Sequence, residues 1–385
     1  GKDYELDQRL AEHDCHASIA HAKMLHATGT LTKEEEQQLV EALHAILRRI
    51  AKGTFTIKPA DEDCHTAIEN HLVEICGDIG KKLHTARSRN DQVLTALRLY
   101  EKTELAALRG AISQWIRTAE IFSRTWGSIP FPGYTHTRKA MPSTIGTWMT
   151  SFVDAAYDDL RLFDAVASLI DQSPLGTAAG FGVPVINIDR ELTAKELGFA
   201  RIIENPIYAQ FTRGKFESHI LHTLSGIMLT LNRFATDCIF FSSKEFGYLE
   251  LDRCICCGSS IMPQKHNPDV FELIRSSYHV LIGELLKMHT IPANLLSSYN
   301  RDIQLTKAPL FDALDITKQA VEVATACLPH IRVHAERCTS ACTDDIYATE
   351  KAYRLVQRNV PFRDAYLQVA KQHAENLPDK DTEPL

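Results

Sequence analysis

The chain has 385 residues, 44 % hydrophobic and 24 % charged, with a formal net charge of -7. That length allows two or three domains with ample core, and the acidic balance excludes a nucleic-acid or anionic-membrane footprint, so small-molecule chemistry is expected. No stretch approaches the roughly 20 uninterrupted apolar residues of a membrane span, and the charged start Gly1-Lys-Asp-Tyr-Glu-Leu-Asp7 does not read as a signal peptide. A cytosolic protein is expected.

In chain order, Ala17 to Leu25 reads as a first helix. Thr32-Lys-Glu-Glu35 is a capping box before Leu39, Leu43, Ile46 and Ile50 at helical spacing, and Gly53 stops that second helix. Phe55 to Pro59 reads as a short extended connection. From about Asp91, apolar residues from Val93 and Leu94 through Trp115 and Phe122 trace one face for more than thirty residues, a rod of about 50 Å. Four further long helices are predicted, near 143–171, 214–246, 269–290 and 308–331. Their apolar stripes are too broad for one neighbour to cover, which predicts a bundle and an oligomer. Val183 to Asp189 is the one β-like run, inside a long connection over 172–190. No dinucleotide or P-loop glycine motif occurs.

The ten cysteines are scattered through a chain that needs no staples, which predicts free thiols. Cys254, Cys256 and Cys257 crowd together, and Cys338 and Cys342 are one helical turn apart. The C-x-C-C spacing does not match a zinc site, so no metal is expected. His65 and Glu69, at i and i+4, read as structural support, since no second histidine pair or H-E-x-x-H motif accompanies them.

Polar segments interrupt the apolar pattern at 84–92, 133–142, 258–269 and 298–307, each read as lying at a helix end. Gly258-Ser-Ser-Ile-Met-Pro-Gln-Lys-His-Asn-Pro268 combines flexible glycine, two hydroxyls, a cation and an amide just before a helical first turn at Asp269. Backbone N–H groups collect at such a turn, so the loop suits an anion. Together the segments supply the donors that a multiply charged carboxylate substrate requires.

These segments resemble those of the argininosuccinate lyase branch of the fumarase/aspartase superfamily. Residues 258–268 match its G-S-S-x-M-P-x-K-x-N-P signature; His84 to Gln92, Gly133 to His136 and Tyr299 to Lys307 match the branch. Pro174-Leu-Gly, Asp189-Arg-Glu-Leu and Asp61 to Thr66 extend the likeness over nearly the whole chain. The resemblance implies an all-α, three-domain fold: an N-terminal helical domain at 1–88, a long five-helix bundle at 89–339 and a truncated C-terminal domain at 340–385. It further implies a homotetramer with a 20-helix core and each site assembled from three subunits.

The implied reaction is anti elimination of argininosuccinate to fumarate and arginine, without cofactor. Removing a proton beside a carboxylate creates an aci-carboxylate, so donors must await the developing charge. By resemblance, Ser259 is the base, with Ser260 the alternative, and Lys265 stabilises its anion. His136 is the general acid or proton shuttle and Glu272 orients it. Ser18, Asn90, Thr135, Asn267, Tyr299, Gln304 and Lys307 bind substrate, and Arg87 and Arg89 are further carboxylate candidates. Ala86, Thr137, Arg138, Met141, Leu305 and Thr306 depart from the branch pattern, which bears on the amine half of the substrate. Other fumarate-releasing lyases and a non-catalytic crystallin-like oligomer are the competing functions.

Overall fold

The computed structural model describes residues 2–375. Five long helices dominate it: Arg89–Trp126, Ile145–Ile170, Pro206–Phe241, Asp269–Thr290 and Lys307–Cys327. Their apolar periodicity is the cause, and tertiary burial of those stripes supplies most of their stability. Two compact units divide the chain, and the division falls within each of these helices.

The first unit comprises the residues up to Ile112, Asp158–Leu229 and Ser276–Ala320. After the short helical turns Asp3–Leu6 and Asp7–Arg9, it contains the helices Ala11–Ala27, Lys33–Ala51 and Cys64–Cys76. The predicted capping box is present: Glu35 N–H donates to Thr32 Oγ1 at 3.2 Å and Thr32 N–H to Glu35 Oε2 at 3.0 Å. Leu94, Leu97, Phe216, Leu224 and Phe311 lie in the core. Arg98 is buried there, paired with Glu101 at 2.6 Å and stacked over the Phe216 ring at 4.5 Å.

The Pro206–Phe241 helix is broken at Arg213 (φ -71°, ψ 125°) and Gly214 (φ 85°, ψ -37°). A side chain at Gly214 would start 2.5 Å from Pro292 Cγ, so both the conformation and the space demand glycine. Val183–Asp189, expected to be β-like, forms no strand; Pro184 removes a donor and Val185 takes φ 69°.

The second unit comprises Ser113–Tyr157, Thr230–Arg275 and the described residues from Val321 onward. Its core is aromatic: Trp148 lies 5.8 Å from Phe152, 6.1 Å from Phe241 and 6.3 Å from Phe234 between ring centroids. Such pairs contribute about 0.5–1.5 kcal/mol each beyond the area they bury. A hairpin of Pro130–Thr135 and Arg138–Thr144 was not anticipated. His136 and Thr137 form its two-residue turn with φ 53° and 60°, the left-handed pair that matches strand twist, although neither is glycine or asparagine. The segment 133–142 therefore occupies a hairpin, not a helix end as expected. Leu249–Leu251 pairs antiparallel with Ile331–Val333, and Ala352, Ala365 and Val369 pack the last helices together.

Candidate active site

The signature loop hangs from a minimal ladder in which Cys257 pairs with Asn267 and Gly258 with His266. Asp269, the first residue of the Asp269–Thr290 helix, accepts from Cys257 N–H at 2.9 Å and so ties the loop's start to its end. Its contacts with Cys257 hold the Asp269 carboxyl below the usual range. Inside the loop, Ser259 is half-buried, while Ser260 and Lys265 are exposed. Ser259 Oγ accepts from the backbone N–H groups of Met262 at 3.1 Å and Ile261 at 3.4 Å. Those donors point at the atom that would carry negative charge as an alkoxide. Among the described residues, the Lys265 ammonium makes no hydrogen bond or ion pair with Ser259.

Lys265, Asn267 and Glu272 line a cleft of about 740 Å³ with Lys244, His334 and Arg337, all within the second unit. Thr135 and His136 belong to the same unit, exposed at the hairpin tip. The hairpin is braced by Tyr134 and Tyr248, whose hydroxyls are 2.7 Å apart, and by Lys139 Nζ donating to Ala341 O at 2.8 Å. Among the described residues no hydrogen bond or ion pair joins His136 to Glu272, and both side chains are exposed.

The remaining candidates lie in the first unit. Ser18 is fully buried and accepts from Arg87 Nη1 at 2.9 Å. Burial pushes the Arg87 guanidinium down, with Asp14 and Asp91 opposing, and its Nε has no protein partner among the described residues. Asn90 is half-buried in the first turn of the Arg89–Trp126 helix. The neighbouring Asp91 fixes this helix start: its carboxylate accepts from Ser88 N–H, Gly176 N–H and Ala178 N–H, each at 2.9 Å. Burial still pushes its carboxyl up. Arg89 Nε pairs with Asp63 at 3.1 Å and Nη2 donates to Thr66 Oγ1 at 2.8 Å, which occupies it with the Asp61–Thr66 motif. Gln304 lines a second cavity, of about 210 Å³, with Arg89, Arg301 and Asp63.

Tyr299 is half-buried just before the 3-10 turn Arg301–Thr306. Lys307 is 2 % exposed and donates to Asp3 at 2.7 Å and Asp7 at 2.5 Å, so its charge is already neutralised by two carboxylates. His65 pairs with Asp14 at 3.0 Å, whereas Glu69 stands 3.9 Å from His84. All ten cysteines are free.

A lyase family's sequence pattern matches residues 2–283. The chain is 49 % identical to argininosuccinate lyase of Thermotoga neapolitana over 97 % of its own length and 94 % of that relative's. It is 41 % identical to that of Sorangium cellulosum, over 97 % and 86 %. The chain belongs to the argininosuccinate lyase family. In fold it is similar to EDDS lyase in complex with formate, with a TM-score of 0.85 at 22 % identity over 95 % of this chain and 72 % of the other. A fumarate lyase:delta crystallin from Brucella melitensis gives a TM-score of 0.79 at 21 %, over 96 % and 85 %.

Within this argininosuccinate lyase family chain, sequence reasoning missed Arg213. It is 3 % exposed at the break in the Pro206–Phe241 helix, and its Nε and Nη2 have no partner among the described residues. Burial pushes its guanidinium down, while Glu217, Tyr299, Asp7 and Asp3 oppose this. Only the helix break marks it: the helix expected near 214–246 starts at the following glycine, so Phe211-Thr-Arg213 fell outside every expected element.

The departures from the branch pattern have local consequences. Ala86 takes φ 61°, a conformation that glycine reaches without strain. Thr137 Oγ1 donates to His136 O at 2.6 Å, closing the hairpin tip. Arg138 pairs with Thr135 across that hairpin; Met141 and Leu305 are 47 % and 66 % exposed; Thr306 is buried and donates to Ile303 O at 2.7 Å.

Proposed function

We propose that the chain catalyses the elimination of argininosuccinate to fumarate and arginine. The observation that carries this reading is the 49 % identity to an argininosuccinate lyase along nearly the full length of both chains. In this reading Ser259, as alkoxide, takes the proton from the carbon beside the carboxylate. The electrons of that C–H bond form the aci-carboxylate and then the double bond of fumarate as the C–N bond breaks, and His136 delivers a proton to the departing guanidino nitrogen.

The two backbone N–H groups aimed at Ser259 Oγ support its role, because they would strengthen as that oxygen becomes charged. Lys265 adds positive charge to the same loop. Asn267, Thr135, Asn90, Tyr299 and Gln304 hold the substrate's carboxylates and amino-acid end, and the buried Ser18 serves the site through Arg87, whose Nη1 donates to it. Lys307 serves the site through Asp3 and Asp7, the carboxylates that it neutralises.

The reading includes a homotetramer in which each site draws on three subunits and the five long helices of each chain form a 20-helix core. His136 of one subunit then meets Glu272 of another, a pairing for which the exposure of both side chains leaves room. It keeps the division into domains at 1–88, 89–339 and 340–385. A cytoplasmic location also belongs to it; among the described residues no helix is long and apolar enough to cross a membrane.

Replacing the base tests the reading. Ser259→Ala should lower fumarate formation by about 10²–10⁴-fold, the usual contribution of a positioned proton-transfer group, with the oligomer intact. Activity retained in Ser259→Ala and lost in Ser260→Ala would move the base to the neighbouring hydroxyl.

A further inference from the structure

The cysteine-rich stretch before the signature loop takes no part in these steps. Cys254 lies in the 3-10 turn Arg253–Ile255, just after Asp252, and His330 ends the turn Leu328–His330. Asp252 N–H donates to His330 O at 3.0 Å, which docks one turn on the other. Their side chains converge. Cys254 Sγ is 3.3 Å from His330 Nδ1, and Asp252 Oδ2 is 3.2 Å from the same nitrogen. The three donor atoms all lie within 4.8 Å of one another.

A tetrahedral zinc ion, with bonds of about 2.3 Å to sulfur and about 2.0–2.1 Å to nitrogen and oxygen, separates its sulfur and nitrogen ligands by about 3.6 Å and its nitrogen and oxygen ligands by about 3.3 Å. The sulfur–nitrogen and nitrogen–oxygen separations thus already stand near two edges of a coordination tetrahedron, and the third lies within 4.8 Å.

We infer that Asp252, Cys254 and His330 form a binding site for one thiophilic divalent cation, for which Zn²⁺ fits best. Thiolate, imidazole and carboxylate are its ordinary donors, and a fourth position remains for water. Cys254 is exposed and the other two are half-buried, so an ion reaches them from solvent. Arg332 Nη2, 3.5 Å from Asp252 Oδ1, orients the carboxylate so that Oδ2 faces the imidazole. The Arg332 side chain is 64 % exposed, and water screens its repulsion of a cation. On binding, the thiol proton leaves to solvent.

The related cluster of Asp7, Cys64 and His65 differs: it is buried, and the Lys307 ammonium already sits on Asp7. An ion at Asp252, Cys254 and His330 would tie the segment leading into Cys257 and Gly258 to the 328–330 turn. It would thereby stiffen the stem of the loop that carries Ser259.

The test is calorimetric titration of the chelator-treated full chain with Zn²⁺ alone, alongside Co²⁺ absorption. One Zn²⁺ should bind per chain and raise Tm, and Co²⁺ should show a thiolate charge-transfer band. Cys254→Ser and His330→Gln should each weaken binding by at least about tenfold, the loss typical of removing even an outer-shell partner. Cys257→Ser should bind as the unaltered protein does. No Zn²⁺ uptake, or undiminished uptake by folded Cys254→Ser and His330→Gln, would overturn the inference. Should those variants fail to fold, alkylation of the unaltered protein decides: Zn²⁺ should protect Cys254, and unchanged labelling there would refute the site.

Discussion

His65 and Asp14 form a buried ion pair whose two members titrate in opposite directions. Burial disfavours the His65 imidazolium, but Asp14 first, then Asp63 and Asp7, outweigh it and raise its pKa. Burial likewise opposes the Asp14 carboxylate, and His65, Arg87 and Gln92 hold it below the usual range. A raised histidine contributes stability that is fully present below its unfolded pKa of about 6.5 and is lost as pH rises through the higher folded value. A depressed aspartate contributes above its unfolded pKa of about 3.9 and loses that contribution as pH falls through the lower folded value. Tm should therefore decline between about pH 6.5 and pH 8, before the cysteines titrate, and decline less in His65→Gln. Equal slopes by scanning calorimetry would remove the pair from the account. The i, i+4 spacing of His65 and Glu69 concealed this arrangement, because the partner of His65 lies 51 positions away. Lys307 was hidden in the same way: a lysine beside a polar loop reads as a ligand for substrate until Asp3 and Asp7 are brought to it by the fold.

Among the elements, the long helices were legible because amphipathic periodicity repeats over many turns. The expected span 269–290 coincides with Asp269–Thr290, and 143–171 misses Ile145–Ile170 by one or two residues. The hairpin at Pro130–Thr144 was illegible for a local reason. Prolines at 130, 132 and 142 argue against strands, and His136-Thr137 lacks the Asn-Gly chemistry of such turns. The helix expected near 214–246 begins earlier, at Pro206, since the helical reading stopped at the Gly214 break. That break offers an element-scale prediction. Gly214→Ala places a side chain in a left-handed conformation at a cost of about 1–2 kcal/mol and drives it against Pro292, so Tm should fall measurably. An unchanged Tm would mean that the break is not held by glycine. Gly214 N–H also donates to Glu217, which anchors the helix beyond it.

At the scale of the whole molecule, apolar side chains remain exposed on the long helices. Leu162, Leu229, Val280 and Leu286 are 47 %, 43 %, 52 % and 65 % exposed in the first unit. Ile121, Phe240 and Leu273 are 55 %, 48 % and 65 % exposed in the second. Exposed apolar positions repeated along helices suit association with further copies. Light scattering should give a tetramer, and a stable active monomer would refute shared sites. Shared sites make a sharper prediction: His136→Asn and Ser259→Ala, each strongly impaired alone, should regain activity well above either when unfolded and reassembled together. Mixed oligomers without recovered activity would place both groups of a site on one subunit.

The superfamily was legible from residues 258–268 and its argininosuccinate lyase branch from 84–92, 133–136 and 299–307, whereas Ala86, Thr137, Arg138, Met141, Leu305 and Thr306 depart from the branch pattern and left the amine half of the substrate less legible. The most direct measurement is therefore ultraviolet detection of fumarate from argininosuccinate, run beside adenylosuccinate and aspartate, with arginine quantified in parallel. Fumarate and arginine in equal amounts from argininosuccinate, with the other two substrates inert, is the predicted result; a folded oligomer silent on argininosuccinate, whether or not it releases fumarate from another substrate, would contradict it.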